Sequence, residues 1–471
     1  MLFVTRDFLL GFFPIVLLAF HTALAFGFRK LLLPILLVAS VVFYAWGNPA
    51  HTPILVASIL VNYVTGRALA DWELSLTRRK VVFITGIVFN LGLLAFFKYT
   101  NFAIDNVAWL FGFESRHLGI ALPIGISFYT FTQIAFLVDI YSNRQRQRDI
   151  ASYGLFVTYF PHLVAGPIIH WREVMPQFRM LGRNDGPSFA SSAYASLLIE
   201  GVSLFSIGLL KKLLIADQLS VFVDLGYKAV PSLGFADGWL LSLAYTFQLY
   251  FDFSGYADMA LGMSLLFGIR LPLNFNSPSR AVSFQDFWRR WHITLSRWLR
   301  DYLYIPLGGN RASPGTVYRN LFVTFLLGGL WHGAAWTFIM WGALHGVACC
   351  IQKWWASTGH RMPGAVGVII TFLFVNMAWV YFRAPDIATA NALLVTMMQP
   401  HVGTPALMFS AWPLVLAGAL IVWLCPNSQT IAAADWNGRA ALSGALTGTA
   451  AIVALVSTNT SIASPFIYYS F

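Results

Sequence analysis

The chain has 471 residues, of which 58% are hydrophobic and only 10% are charged, whereas about 25% of the residues of soluble globular domains carry a charge. This composition excludes an ordinary soluble protein and predicts a polytopic membrane protein. The net charge of +11 comes from Lys and Arg residues in short clusters between apolar runs. The positive-inside rule produces this pattern, so the charge does not indicate nucleic-acid binding.

Common signatures of metal, nucleotide and serine-hydrolase sites are absent from the sequence. The three cysteines, two of them adjacent at Cys349 and Cys350, form neither a disulfide framework nor a metal-ligand spacing. There is also no HExxH, GxxxxGK or GxSxG motif. We therefore expect no bound metal or cofactor, and any chemistry has to come from residues scattered along the chain.

The first 150 residues contain five apolar runs that predict membrane spans. The first run starts at Phe8, and the positive pair Arg29 and Lys30 follows it instead of preceding it. That order predicts a retained span, not a cleaved signal peptide, with its N-terminus on the periplasmic side. The next four runs cover residues 31–46, 54–66, 81–97 and 118–141. Basic residues cluster on one side of these spans, and the opposite loops carry little beyond Lys98 and Arg116.

The middle of the chain alternates broken and continuous apolar runs. Pro123 and Gly125 predict an interruption in the fifth span, which is tolerated only where protein or a cavity satisfies the freed backbone groups. The run at residues 160–169 is too short and too rich in Pro and Gly to cross a bilayer, so we interpret it as re-entrant. Further spans are predicted at residues 193–210 and 239–253.

Two carboxylates, Asp252 and Asp258, lie six residues apart at the end of the span at 239–253. Such a pair can supply the groups for acid and base catalysis. More often it caps broken helices or pairs with arginines. From the residues alone, both interpretations remain open.

Residues 284–302 predict one basic amphipathic helix in the membrane interface. Trp288, Trp291 and His292 recur on its apolar face, whereas arginines lie on another side. Guanidinium groups match phosphate geometry, so these arginines can bind a phosphate-bearing donor or simply contact anionic lipid. The candidate residues for donor binding are Trp288, Trp291, Trp331, Arg289, Arg290, Arg297, Asp252 and Asp258.

An apolar run at residues 321–350 predicts another membrane helix, which contains two histidines and no formal charge. An ionisable side chain at membrane depth is costly unless it is used or paired, so His332 is a candidate catalytic group. The alternative is that both histidines only pack. The spacing of Gly329 and Gly333 predicts close helix packing around His332. On a regular helix, His345 would lie on the opposite face.

Three apolar runs and an aromatic tail complete the chain. The runs cover residues 366–382, 411–423 and 441–456, and the tail covers residues 464–471. Aromatic side chains are enriched where a membrane meets water, so we expect this tail to lie at the interface.

Six blocks of this sequence together resemble the membrane-bound O-acyltransferase family, MBOAT. They are LPIGISFYTFTQIAFLVDIY, FPHLVAGPI, FQLYFDFSGYADMALG, LPLNFNSP, DFWRRWHITLSRWLRDYLYIPLGGN and LWHGAAWTFIMWGALHG. The resemblance extends from about residue 44 to residue 346 and is nearest to the bacterial branch that serves alginate O-acetylation and D-alanyl transfer.

The resemblance implies a single all-α membrane domain over residues 1–471. About ten to twelve transmembrane or re-entrant helices would form a ring around a thin central funnel. Residues 1–150 would supply N-terminal spans, residues 151–350 the core with both histidines, and residues 351–471 the C-terminal spans.

The family's invariant histidine falls on His332 and its second histidine on His292. Acyl transfer to a hydroxyl needs a base and a group that stabilises the oxyanion. We expect His332 to act as the base, while His292 positions a reactant or donates to the oxyanion.

The resemblance also implies a substrate and a location. The expected donor is acetyl-CoA at the cytoplasmic face of a bacterial inner membrane. A periplasmic acetyltransferase partner or a polysaccharide acceptor would complete O-acetylation of an exported polysaccharide such as alginate or cellulose. Two alternatives are D-alanyl transfer towards teichoic acid and a non-enzymatic acyl conduit or transporter.

Overall fold

The computed structural model describes residues 2–71, 73–143, 149–183, 191–401, 403, 409–434, 439–459 and 466–470. Over these residues the chain is helical and contains no β-strand. The helices are α1 (Phe13–Ala25), α2 (Leu32–Gly47), α3 (Thr52–Leu69), α4 (Leu76–Phe111), α5 (Ile126–Asn143), α6 (Ile150–Thr158), α7 (Phe160–Leu163), α8 (Trp171–Leu181), α9 (Ser192–Leu210), α10 (Asp217–Lys228), α11 (Phe235–Leu266), α12 (Phe284–Arg290), α13 (Ile293–Leu299), α14 (Pro314–His332), α15 (Trp336–Ser357), α16 (Gly364–Arg383), α17 (Ile387–Thr396), α18 (Trp412–Leu424), α19 (Ser428–Ala433) and α20 (Arg439–Asn459).

Short segments of other helix types join or follow these helices. Three π-helical segments cover Asp7–Phe12, Lys211–Ala216 and Arg300–Tyr304. A 3₁₀ turn covers Ile467–Ser470, in the aromatic tail.

Within the described residues, six helical stretches are long and apolar enough to cross a bilayer. They are Asp7–Ala25, Arg29–Gly47, Pro49–Leu69, Leu76–Phe111, Ser192–Lys228 and Gly364–Arg383. A span needs roughly 20 apolar residues, and the stretches of 36 and 37 residues exceed that length. These helices confirm an all-α, multi-pass membrane protein.

The structure redefines the bounds of the fifth predicted span and of the span predicted over residues 193–210. The predicted interruption in the fifth span lies at its start, because α5 begins at Ile126, directly after Gly125 with φ +71°. The span predicted to end at residue 210 instead continues through the π-helical segment Lys211–Ala216 into α10. The predicted end is wrong because the helical backbone continues past Lys211 and Lys212, whose side chains, 14% and 4% exposed, pair with aspartates of α11.

Helix α11 is the central helix of the bundle. From Gly238 onward, nearly all of its side chains are buried. It packs along α9 through pairs of glycines, and a Cβ atom on Gly208 would lie 2.5 Å from the carbonyl oxygen of Gly255. Small residues permit this close backbone approach between membrane helices. The packing brings the polar residues of α11, among them Asp252 and Asp258, into the protein interior.

Candidate active site

His332 is the last residue of α14. The chain then becomes extended at Gly333, with φ −163° and ψ 152°, and α15 begins at Trp336. The prediction of one helix over residues 321–350 is therefore wrong. The two helices pack as a hairpin in which a Cβ on Gly329 would lie 3.0 Å from the Cα of Gly342. This contact confirms the close packing predicted at Gly329, and it holds His332 inside the protein with 2% exposure.

Aromatic rings surround the His332 imidazole. The ring centroids of Trp341, Phe382 and His292 lie 5.0, 5.1 and 6.4 Å from it. Trp341 also lies 4.7 Å from His345, so this indole stands between the two histidines of the α14–α15 hairpin. Nδ1 of His332 has no hydrogen-bond partner among the described residues. A buried polar atom in this state is suited to contact a reactant.

His292 divides the helix that the sequence predicted over residues 284–302. Its backbone is left-handed, with φ 43° and ψ 52°, so α12 ends at Arg290 and α13 begins at Ile293. Asn274 stabilises this turn because its main-chain oxygen accepts from the Ile293 N–H at 3.0 Å, and its Oδ1 accepts from the N–H and hydroxyl of Thr294 at 3.2 and 2.9 Å. The prediction of one continuous helix is wrong, although His292 does point inward and is fully buried.

The same amide determines which nitrogen of His292 carries the proton. Asn274 Oδ1, identified as oxygen by its two donors from Thr294, lies 3.2 Å from His292 Nδ1. An amide oxygen only accepts, so Nδ1 donates and Nε2 of the neutral ring keeps a lone pair. Nε2 is buried and has no partner among the described residues. His292 is therefore arranged to accept a hydrogen bond.

Lys98 reaches the same place from α4. Its Nζ donates to the carbonyl oxygens of Trp331 and His332 at 2.5 and 3.2 Å and to Ser127 Oγ at 3.2 Å. It also lies 5.8 Å from the centroid of the Trp331 ring. The sequence placed Lys98 in an outer loop. A lysine inside a 36-residue helix was the signal that could have identified it.

The aromatic tail supplies the other residue that sequence reasoning missed. Tyr468 is buried, with its ring centroid 5.6 Å from His332 and 6.2 Å from His292. Phe466 is buried on Tyr256 at 4.5 Å. The prediction of an interfacial location is therefore wrong for Phe466 and Tyr468, which lie in the protein interior, whereas residues 464, 465 and 471 lie outside the described residues. The aromatic spacing alone does not distinguish these two locations.

The predicted carboxylates are both ion-paired. Lys211 Nζ lies 2.7 Å from Asp258 Oδ2, and Lys212 Nζ lies 2.6 Å from Asp252 Oδ1. The sequence left open whether these carboxylates serve acid and base catalysis or form ion pairs, and the structure shows ion pairs. Only the partners differ, since lysines and not arginines neutralise these carboxylates.

Two of the three predicted donor-binding arginines pair with carboxylates of the protein. Arg290 pairs with Asp286 at 3.0 Å within α12. Arg297 donates two hydrogen bonds to the carboxylate of Glu173 at the start of α8. Burial and the positive charge of Arg297 lower the pKa of the neighbouring His170 to about 4, so this imidazole is neutral at physiological pH. Arg289 is exposed.

The three candidate tryptophans differ in which rings they contact. Trp331 is its chain neighbour, and the two ring centroids are 5.0 Å apart. Trp288 contacts Trp341 at 5.8 Å, and Trp291 contacts Trp379 at 5.0 Å. The structure thus brings together Trp331, His292 and His332, with Trp288 and Trp291 behind other aromatic rings.

Residues 141–384 match the model of the membrane-bound O-acyltransferase family. The match includes His292 and His332 and more than half of the chain. The chain belongs to the MBOAT family. As an MBOAT protein it is an O-acyltransferase, and the matched segment contains the two buried histidines, whose ring centroids lie 6.4 Å apart.

Relatives of this MBOAT protein carry several activities. A peptidoglycan O-acetyltransferase of Helicobacter pylori is 43% identical over 430 residues, which cover 84% of this chain and 80% of that protein. A probable alginate O-acetylase AlgI of Pseudomonas aeruginosa is 40% identical over 396 residues, which cover 83% of this chain and 73% of that protein. A teichoic acid D-alanyltransferase of Bacillus subtilis is 29% identical over 222 residues, 45% of this chain and 54% of that protein.

Proposed function

We propose that this MBOAT protein takes an acetyl group from acetyl-CoA at the cytoplasmic face of a bacterial inner membrane and passes it outward for O-acetylation of a glycan. Two kinds of O-acetyl-transferring relatives match over more than four fifths of the chain at 40% identity or above. The D-alanyl-transferring relative matches at 29% over less than half of it. This difference favours acetyl over D-alanyl transfer.

The acceptor belongs to one of two classes of glycan. The sequence suggested an exported polysaccharide such as alginate or cellulose, and the peptidoglycan O-acetyltransferase among the relatives adds peptidoglycan. In either case the membrane protein delivers the acetyl group to the periplasmic side. A periplasmic acetyltransferase partner then completes transfer to the sugar hydroxyl.

The observation that carries this proposal is the buried imidazole of His332, whose Nδ1 lacks a partner among the described residues. In the proposed reaction the hydroxyl oxygen that first receives the acetyl group, before the periplasmic partner passes it to the sugar, attacks the thioester carbonyl carbon while His332 takes the hydroxyl proton. The tetrahedral intermediate then collapses, the carbon–sulfur bond breaks, and the CoA sulfur leaves with the proton from His332. Each transfer thus yields one ester and one free CoA.

His292 has the positioning role in this reaction. A neutral ring with its proton on Nδ1 cannot donate from Nε2 to an oxyanion, because Nε2 carries only a lone pair. Of the two roles suggested by the sequence, the structure therefore favours the one in which His292 orients a reactant by accepting a hydrogen bond.

The test of this proposal is thioester cleavage by the purified protein in lipid nanodiscs, given radiolabelled acetyl-CoA and a periplasmic extract as acceptor source. We expect His332→Gln to lower CoA release about 100- to 10,000-fold, the usual contribution of a general base. The control is His401→Gln at an exposed histidine, which should release CoA at the parent rate. Near-full release by a folded His332→Gln protein would contradict the proposal, and unchanged turnover in His292→Ala would leave His292 a scaffold residue.

A further inference from the structure

The aromatic tail is attached to the protein interior through its main chain. The N–H of Ile467 donates to Oδ2 of Asp252 at 2.8 Å. The other oxygen of this carboxylate, Oδ1, lies 2.6 Å from Lys212 Nζ, and Lys212 also pairs with Asp217 at 2.7 Å. The side chains of all three charged residues are no more than 4% exposed. A carboxylate of this buried ion cluster therefore accepts a hydrogen bond from the main chain of the tail.

The charges of this cluster favour the contact. One lysine pairs with two aspartates, and the N–H of Ile467 gives the Asp252 carboxylate a further hydrogen-bond donor. Hydrogen bonds from a neutral N–H to a carboxylate are stronger than neutral pairs. They strengthen further where the local dielectric constant is low. The amide of Ile467 is thus held more firmly than an ordinary main-chain contact would hold it.

The residues on either side of this amide contact the site through their rings. Phe466 lies 5.6 Å from Phe253, and Tyr468 lies 4.4 Å from the same ring. Phe253 follows Asp252 on α11 and lies 4.7 Å from His292. Neighbouring residues of α11 therefore hold both the main chain and the rings of the tail next to the catalytic histidines.

We propose that Asp252, itself held by Lys212, is a positioning residue that anchors residues 466–470 and determines where Tyr468 stands relative to His332. The anchoring follows from the contacts alone, whereas its effect on turnover rests on the proposed function. Without this hydrogen bond, residues 466–468 spend a larger fraction of the time away from Phe253 and the two histidines. His332 then loses its contact with the Tyr468 ring.

A substitution in the tail itself tests the anchor without disturbing the ion cluster. Ile467→Pro removes the N–H that Asp252 accepts, and proline is compatible with the first position of a helical turn, which Ile467 occupies. Ile467→Ala is the matched control because it shortens the same side chain and keeps the N–H. Both are made in a Phe466→Cys background in which Cys349, Cys350 and Cys425 are replaced, so that maleimide reports only on position 466.

We expect maleimide to modify the Ile467→Pro protein about ten- to one-hundred-fold faster than the Ile467→Ala protein. This factor is the shift towards the released tail that follows from the loss of one hydrogen bond to a charged group. Asp252→Asn keeps an oxygen acceptor and leaves Lys212 paired with Asp217, so its labelling rate should fall between the two. Equal labelling rates in the Pro and Ala proteins would overturn the anchor.

The kinetic part of the proposal is measured in the native Phe466 background. Ile467→Pro should lower kcat for CoA release at least tenfold, with the KM for acetyl-CoA within about twofold of that of Ile467→Ala. Equal kcat in both variants, despite different labelling, would overturn the positioning role. If the parent releases no CoA at all, the proposed function fails, and the labelling rates still decide whether Asp252 anchors the tail.

Discussion

Polar residues at the centre of this molecule take their roles from partners that lie far away in the sequence. Asn274 precedes His292 by 18 residues, yet its amide determines which nitrogen of that ring keeps a lone pair. Lys98 precedes His332 by 234 residues and donates to its carbonyl oxygen. The position of the proton on His292 and the capping of α14 at His332 are thus properties of the folded structure, which the short motif around each histidine does not contain.

Lys98 has a role that a substitution can isolate. The last carbonyl groups of a helix lack partners within it and carry a partial negative charge, and Lys98 satisfies two of them at the end of α14. We expect Lys98→Met to lower kcat for CoA release at least about tenfold, because an unsatisfied buried carbonyl costs roughly 1–3 kcal/mol and loosens the turn that positions His332.

The Lys98 prediction has two controls. Lys98→Arg keeps the charge and the donors, so it should recover part of the lost rate. Lys353→Met removes an exposed lysine and should leave kcat unchanged. A Lys98→Met protein with the kcat of the parent would show that this cation does not support the catalytic turn.

At the scale of helices, the sequence predicted where helices occur better than where they break. Residues 284–302 and 321–350 each read as one helix because apolar residues recur with helical period on both sides of the break. The breaks come from tertiary contacts. Asn274 takes the hydrogen bonds that a continuous helix would need at His292, and the chain becomes extended at Gly333, so α15 folds back on α14. Both histidines lie at such breaks, where sequence periodicity gives no information.

The α14–α15 hairpin depends on the absence of a side chain at Gly329. A Cβ at this position would contact the carbonyl oxygen of Phe338 and lie 3.0 Å from Gly342 Cα. We expect Gly329→Ala to push the two helices apart and to destabilise the protein by about 1–3 kcal/mol, as in other overpacked cores. CoA release should also fall, because His332 moves with α14. Thermal unfolding in detergent measures the first effect.

Gly92→Ala on α4 is the matched control for this substitution. A Cβ on Gly92 would meet nothing within 4 Å. Replacing Gly by Ala inside a helix favours the helix by roughly 0.5–1 kcal/mol, so the midpoint of unfolding should stay or rise. If Gly329→Ala unfolds at the same temperature as Gly92→Ala, the hairpin does not depend on close backbone contact.

At the scale of the whole molecule, composition and hydropathy were sufficient for the all-α membrane fold, and the family blocks were sufficient to single out His332 and His292. The positions of Lys98 and the aromatic tail could not be predicted. Both depend on which helices become neighbours, and contacts between residues more than 200 positions apart leave no periodic signal. The ion pairs of Asp252 and Asp258 join residues only 40 and 47 positions apart, yet they too depend on which helices pack together, here α11 beside the π-helical segment after α9.

The distribution of basic residues predicts an orientation of the molecule in the membrane, and that orientation would decide which compartment supplies the donor. Arg67, Arg78 and Lys80 lie near the start of α4, and the positive-inside rule predicts that this end faces the cytoplasm. Because α4 has 36 residues, it is long enough to cross the bilayer, so the loop after Phe111 is predicted to face the periplasm. The same orientation predicts an N-terminus outside, in agreement with the prediction from the order of Phe8 and Arg29.

Two exposed glutamates at opposite ends of α4, Glu73 and Glu114, test this orientation. Each is replaced by cysteine in a protein without its three native cysteines, and intact spheroplasts are treated with a membrane-impermeant maleimide. We expect Glu114→Cys to react at once and Glu73→Cys only after permeabilisation, because only the first side chain faces the periplasm. The reverse pattern would place the basic clusters outside. Because acetyl-CoA is confined to the cytoplasm, it would then have to reach His332 from the opposite end of the bundle.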